Sequence, residues 1–296
     1  MSLTSIITRF MFKRSDDKRD AGLTTPEDIV RYDDLSYGPD RKYNVLDIYR
    51  PKDTEGPLPV IVSVHGGGWV YGDKERYQYY CMSLAQHGFA VVNYTYRLAP
   101  KHKFPSALED TVRVFSFVLT HADEYGLDTG NIFALGDSAG AQLLSQYCCL
   151  CTNEDFASKF PFAAPKGSLP KAVALNCGVY FIEKKEKADF TSRLLSDLLP
   201  EKGTDEELAL LNVSQLVTPS FPPAFVMTAE GDFVAAQAKP FVTILNDLGV
   251  DAEYHYYGDP EHVLGHVFHC NVRTPDAKMC NRDECDFFRG HMEEGV

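Results

Sequence analysis

Short apolar runs recur along the chain, separated by stretches in which apolar positions return every three or four residues. Residues 57–64, 89–94, 131–135, 172–177 and 224–229 are nearly unbroken in apolar character, as strands buried on both faces should be. Residues 252–257 form one further strand, rich in tyrosine. Between these runs, residues 77–86, 104–125, 139–151 and 235–248 carry helical spacing, and residues 276–292 read as a closing helix. Strand alternating with helix from about residue 58 onward predicts an α/β fold, a mostly parallel central sheet flanked by helices on both faces. Ahead of it, residues 35–37 and 43–49 alternate apolar and polar around the turn cluster Gly38, Pro39 and Asp40. They predict an antiparallel leading hairpin.

Two stretches stand outside this rhythm. Residues 1 to about 30 read as a helical lead-in, and the spacing of Ile6, Ile7, Phe10 and Phe12 fits a short amphipathic helix expected to pack on the body. Thr25, Pro26, Glu27 and Asp28 give a helix-start signal. Residues 178–222 are too long for a strand-to-helix loop and hold helical patterns of their own, with Leu194, Leu195, Leu198 and Leu199 on one face. Together the two stretches predict a helical cap, segments 1–30 and 179–221, over the C-terminal edge of the sheet in a single domain spanning 1–296.

Composition narrows the partners. Hydrophobic residues make up 44% of the 296, enough for a sizeable core, and the net charge is −13. Such an acidic chain is a poor match for nucleic acid, which needs a basic face, and for anionic membranes. No run approaches the roughly 18 apolar residues of a membrane span, and the N-terminal segment lacks the continuous apolar core of a signal peptide. A reduced, cytoplasmic setting is expected, with the eight cysteines unpaired. His262, His266, His269, Cys270, Cys280 and Cys285 gather near the C-terminus, but their spacing fits no finger or knuckle. No metal is expected there.

Candidate chemistry centres on Gly136-Asp137-Ser138-Ala139-Gly140, where a buried strand meets a helix. This is the G-x-S-x-G nucleophile elbow in the strand, turn and helix context that it needs. A serine nucleophile requires an oxyanion hole, an acid and a base. His65-Gly66-Gly67-Gly68-Trp69 follows a buried strand, and the N–H groups of Gly66, Gly67 and Ala139 are the candidate donors to the oxyanion. His65 is expected to order that loop through its ring. Asp232, just past a strand end, is the candidate acid, with Glu230 as the alternative. The base is sought after the last strand, where His266 follows a glycine; His262 and His269 are second and third. Chain order is then Ser138, Asp232, His266.

These residues resemble the hormone-sensitive-lipase-like family of α/β-hydrolase esterases. The likeness rests on His65 to Trp69, on Tyr96-Arg97-Leu98-Ala99-Pro100 continuing to Asp110, on the elbow, and on the Asp232 and His266 loops. It covers roughly residues 30 to 270. Two departures stand out: Asp232 is followed by Phe-Val-Ala-Ala-Gln instead of the family's usual pattern, and residues 258–264 lengthen the histidine loop. The resemblance implies an α/β-hydrolase fold and a serine carboxylesterase acting on short acyl esters through an acyl-enzyme, under a helical cap and without a cofactor. The partner is then a small-molecule ester, with a homodimer possible through the N-terminal helices or the last edge strand. Alternative readings are an amide or formamide hydrolase with the same triad and a non-catalytic binding protein on this fold.

Overall fold

The computed structural model describes residues 2–293. Strands β1 (Ile29–Ser36), β2 (Val45–Pro51), β3 (Leu58–Val64), β4 (Ala90–Thr95), β5 (Leu127–Asp137), β6 (Val173–Asn176), β7 (Ala224–Ala229) and β8 (Ala252–Tyr257) form one sheet. Their spatial order is β1-β2-β4-β3-β5-β6-β7-β8. The leading hairpin is antiparallel, β2 runs antiparallel to β4, and every later pairing is parallel. Helices α1 (Leu3–Asp20), α2 (Lys74–Ala85), α3 (Ser106–Thr120), α4 (Ala122–Tyr125), α5 (Ala139–Thr152), α6 (Glu154–Ala157), α7 (Phe190–Leu198), α8 (Asp205–Leu211), α9 (Ala238–Asp247) and α10 (Pro275–Gly290) complete the chain.

The apolar runs are buried on both faces because successive side chains point to opposite sides of a strand. On β3, Val60, Val62 and Val64 join the core beneath α3, α5 and α9, while Ile61 joins the core beneath α2 and α10. A third cluster lies over the C-terminal edge of the sheet, where Leu194, Leu195 and Leu198 of α7 and Leu208 and Leu211 of α8 pack on Trp69 and Ala139. Among the described residues, no helix is long and apolar enough to cross a membrane. All eight cysteines are unpaired, and seven are buried.

Three local expectations are corrected. The Thr25–Asp28 signal opens no helix: Ile29 N–H turns back to the Pro26 carbonyl and starts β1, whose Ile29-Val30-Arg31-Tyr32 pairs with β2. The helix expected over 104–125 breaks at His121, so that α3 and α4 are separate. The lead-in helix α1 does pack on the body, but by the opposite face. Of the four apolar residues of the expected stripe, Phe12 does turn inward, onto Tyr71; Ser5 and Thr8 are buried, whereas Ile6, Ile7 and Phe10, with Leu3 and Met11, face solvent. Polar bonds decide this orientation: Ser5 Oγ donates to Asp197 at 2.5 Å, and Arg9 donates to the Val70 and Ala99 carbonyls at 2.6 and 2.8 Å.

A buried carboxyl joins α10 to the sheet and to α2. Tyr80 OH donates to Glu284 Oε2 at 2.8 Å, and the Asn176 amide donates to Oε1. Burial pushes the Glu284 carboxyl up to about 8, against the pull of those two hydrogen bonds. The folded protein therefore keeps a proton that the unfolded chain loses from about pH 4.5 upward, and stability falls as pH rises through this window. Glu284→Gln removes the cost of ionisation while retaining an acceptor. Urea unfolding should show the variant gaining on wild type between about pH 5 and pH 8, by up to about 3 kcal/mol. A pH-independent difference would mean that this carboxyl is not held protonated.

Candidate active site

β5 ends at Asp137 and α5 begins at Ala139, leaving Ser138 alone between strand and helix. Its backbone sits at φ 53° and ψ −118°, a sparsely populated conformation that stores strain. The sharp turn folds the chain against itself. A Cβ on Gly136 would overlap the Gly140 carbonyl, and one on Gly140 would overlap the Val64 and His65 carbonyls. Ser138 N–H donates to the Asn176 carbonyl at 2.8 Å, fixing the elbow to β6. The first turn of α5 points its unpaired N–H groups and the positive end of its dipole toward the serine.

The loop after β3 meets this elbow because β3 and β5 are parallel neighbours. Gly66 N–H donates to Asp137 Oδ1 at 3.1 Å and to Tyr77 OH at 2.9 Å, and Tyr77 OH donates to Asp137 Oδ2 at 2.7 Å. This corrects the expectation for Gly66, whose N–H is spent on the elbow's own aspartate and is not free for an oxyanion. Burial pushes the Asp137 carboxyl up to about 6, opposed by the bonds from Tyr77 and Gly66 and by the nearby His266 and Arg19. Gly67 adopts φ 119°, a conformation closed to other residues.

His65 holds the loop from beneath. Its Nδ1–H donates to the Gly66 carbonyl at 2.7 Å, and its ring stacks on Tyr96 with centroids 4.0 Å apart. Complete burial pushes its imidazole down to about 4, so the ring is neutral near pH 7. Tyr96 is fixed in turn, its OH donating to the His65 carbonyl at 2.8 Å. The neighbouring Arg97 is held by Asp110 and Glu109 at 2.8 and 2.6 Å. The Tyr96–Asp110 segment thus buttresses the glycine loop. Trp69 Nε1–H reaches Gln142 of α5 at 3.0 Å, tying the far end of the loop to the elbow helix.

Asp232 and His266 come together from the loops after β7 and β8. His266 Nδ1–H donates to Asp232 Oδ1 at 2.6 Å. Thr228 Oγ1–H donates to Oδ2 at 2.7 Å and Val234 N–H to Oδ1 at 3.0 Å. Burial alone would raise the Asp232 carboxyl, but the bonds from His266, Thr228 and Val234 outweigh it and hold the group below its usual range. The other candidates lie elsewhere. Glu230 accepts from Tyr256 OH in an exposed position, and His262 pairs with Asp276 at 3.1 Å with its side chain 61% exposed. His269 is buried against Tyr80 and its imidazole is pushed down to about 3 by that burial. The inserted residues before Gly265 close on themselves as a turn, with Asp259 Oδ1 accepting from the Glu261 and His262 N–H groups at 2.8 Å. The acid and histidine loops then join where Gly231 N–H donates to the Leu264 carbonyl at 2.9 Å.

Ser138, His266, Gly67 and Asp137 line one cavity of about 200 Å³, walled by Tyr71, Phe233 and by Phe12, Ser15, Asp16 and Arg19 of α1. Phe233 lies over the His266 ring with centroids 4.2 Å apart. Sequence reading missed the pocket roles of Tyr77, Phe233 and the inner face of α1. Only Asp137 carried a signal, through its position between Gly136 and Ser138. Among the described residues, Cys177, Asp232 and His266 bring a thiol, a carboxylate and an imidazole within 4.8 Å of one another. An ion held through His266 Nδ1 would have to break the Asp232–His266 bond.

The chain matches the family described as alpha/beta hydrolase fold over residues 61–266. It is 37% identical over 264 residues to an acetyl esterase of Salmonella schwarzengrund, covering 83% of this chain and 76% of that protein. It is 26% identical over 234 residues to the carboxylic ester hydrolase LipN of Mycobacterium tuberculosis, covering 74% of this chain and 60% of LipN. A versiconal hemiacetal acetate esterase of Dothistroma septosporum is 38% identical over 100 residues, and there the chain spans only 30% of the relative's length. Esterase B from Lactobacillus rhamnosis shares the fold, with a TM-score of 0.87, 24% identity, and 97% and 94% of the two chains covered. A family match over most of the chain, joined by a relative most of whose length is spanned, assigns the lineage: the chain belongs to the hormone-sensitive-lipase-like family of α/β-hydrolases.

Proposed function

We propose that the protein is a serine carboxylesterase that hydrolyses short-chain acyl esters through Ser138, His266 and Asp232. The observation that carries this reading is the 2.6 Å bond between His266 Nδ1 and Asp232, in the cavity that Ser138 enters from a strained elbow. Ser138 Oγ attacks the ester carbonyl, and its proton passes to His266 Nε2. Asp232, held ionised by its three donors, fixes the Nδ1–H tautomer and stabilises the imidazolium. The tetrahedral oxyanion is met by the N–H groups of Gly67 and Ala139, with Gly68 taking the part expected of Gly66. Each such donor contributes on the order of 3 kcal/mol to the transition state. His266 then returns the proton to the departing alcohol, and water activated by the same histidine releases the acid. The names of the acetyl esterase and carboxylic ester hydrolase relatives support the reaction class. The small cavity, shut in by Phe12, Tyr71 and Phe233, supports an acetyl or butyryl group. Segments 1–30 and 179–221 serve as the cap, since α1 and α7 are bound to each other through Ser5 and Asp197 and α7 packs on Trp69.

Hydrolysis of p-nitrophenyl acetate, butyrate and octanoate tests the assignment. Wild type should turn over the two shorter esters faster than the octanoate. Ser138→Ala and His266→Ala should each lower kcat by on the order of 10⁶, and Asp232→Asn by on the order of 10⁴. A folded wild type inert on all three esters, or a Ser138→Ala variant that retains turnover, would overturn the reading.

A second test concerns Asp137. Its carboxyl accepts from Gly66 N–H and Tyr77 OH most strongly when ionised, and with that carboxyl raised to about 6 the clamp weakens as pH falls through that value. Asp137→Asn should lower kcat about tenfold, which is about 1.4 kcal/mol, with little change in KM. Its activity should also fall less steeply on the acid side than that of wild type, because one titrating group is gone. An unchanged kcat and an unchanged acid slope would remove Asp137 from the oxyanion machinery.

A further inference from the structure

The outer face of α1 reverses the usual order of a surface helix. Leu3, Ile6, Ile7, Phe10 and Met11 follow the spacing of one helical face, and they are 72, 48, 47, 68 and 60% exposed. The inner face carries directional anchors, from Ser5 to Asp197, from Arg9 to two carbonyls, and from Tyr71 OH to Asp16 at 2.8 Å. Rolling the helix to hide its apolar stripe would break all of them. The stripe groups five large apolar side chains on one face in water, a contiguous patch rather than scattered single exposures, and patches of this kind are often functional.

One turn further along, the same face becomes cationic. Arg14 and Lys18 continue the stripe and Lys13 flanks it, all exposed. Asp17, the acid on this part of the face, is already paired with Lys13 at 2.6 Å and with Arg76. Although the chain as a whole carries a net charge of −13, this one face sets an apolar half beside a basic half, and its local charge is complementary to an interface with an acyl interior and anionic headgroups. We propose that the outer face of α1 is a docking surface for an anionic lipid surface, the stripe entering the acyl boundary and Arg14 and Lys18 meeting the phosphates. The helix lies in the plane of the interface and does not span it. Because the inner face of α1 walls the cavity, docking holds the site about one helix diameter, roughly 10 Å, from the lipid.

Flotation of the full chain tests this with vesicles of equal parts phosphatidylglycerol and phosphatidylcholine, against vesicles of phosphatidylcholine alone. Wild type should float with the mixed vesicles and several-fold less with the neutral ones. The double variant Ile7→Ser, Phe10→Ser should stay in the bottom fraction. The variant Arg14→Glu, Lys18→Glu should bind mixed vesicles no better than neutral ones. Both should keep the wild-type rate on soluble p-nitrophenyl acetate; if no form hydrolyses it, circular dichroism reports the intact fold and the flotation stands independently. Wild type remaining with the soluble fraction, or variants floating as wild type does, would overturn the proposal. So would a dimer in solution that the Ile7→Ser, Phe10→Ser change dissociates, since the stripe would then belong to a second copy.

Discussion

The buried carboxylate of Asp137 joins the two loops on which the site depends. β3 and β5 pair in parallel, with Val64 opposite Gly136, so the segments leaving their C-terminal ends are neighbours whatever their sequences. Proximity alone does not orient an N–H group. Asp137 supplies the orientation by accepting from Gly66 N–H and Tyr77 OH together, which turns one loop amide inward and fixes the path of the residues after it. Its burial makes the ionised form costly, and two donors on a buried carboxylate recover part of that cost. Around this bond the remaining supports form a closed set: His65 on Tyr96, Tyr96 back to the His65 carbonyl, and Trp69 to Gln142 of the elbow helix.

Much of the fold was legible because buried parallel strands leave a plain signature. The limits of β7 match the apolar run that predicted it, and those of β8 match the tyrosine-rich run at 252–257, since neither strand has an irregularity. β5 is longer than its apolar core because it absorbs residues 129–131 as a bulge against β3, and such a bulge has no compositional mark. The start of β1 was misread for a related reason. Thr25, Pro26 and Asp28 suit a turn as well as a helix start, and only the pairing of Ile29-Val30-Arg31-Tyr32 with β2 decides between them. The glycine loop after β3 was legible as a loop, but not the direction of each N–H. That direction depends on backbone angles such as the φ of 119° at Gly67, which residue identity permits without dictating.

The two departures from the family pattern turn out to be of different kinds. The lengthened histidine loop leaves the geometry alone, because its added residues close as a turn around Asp259 and carry His262 out to Asp276. Gly265 then pairs with Gly231 in a parallel bridge, beside the acid loop. The altered acid loop changes the pocket. Phe233 brings a ring onto the imidazole of His266, and Gln237 accepts from the Tyr180 and Phe181 N–H groups at 2.7 and 2.9 Å. The acid loop is thereby fastened to the segment that leads into α7. Residue type predicted that Asp232 could be the acid; beyond it, Phe233 walls the cavity and Gln237 ties the acid loop to Tyr180 and Phe181.

The inverted helix α1 marks where periodicity stops being informative. A helical stripe of apolar residues establishes that a face exists, and the usual inference that the protein core covers it rests on the absence of a stronger constraint. Here the stronger constraint is polar. Turning the apolar face inward would carry Ser5, Arg9 and Asp16 away from Asp197, the Val70 and Ala99 carbonyls and Tyr71 OH, and would leave the carbonyls of buried Val70 and Ala99 without their donor. The outward orientation brings Phe12, Ser15, Asp16 and Arg19 to the cavity wall. A single helix therefore shapes the pocket by the face that satisfies its polar groups and exposes the other, so whatever meets its outer stripe acts on an element of the site itself.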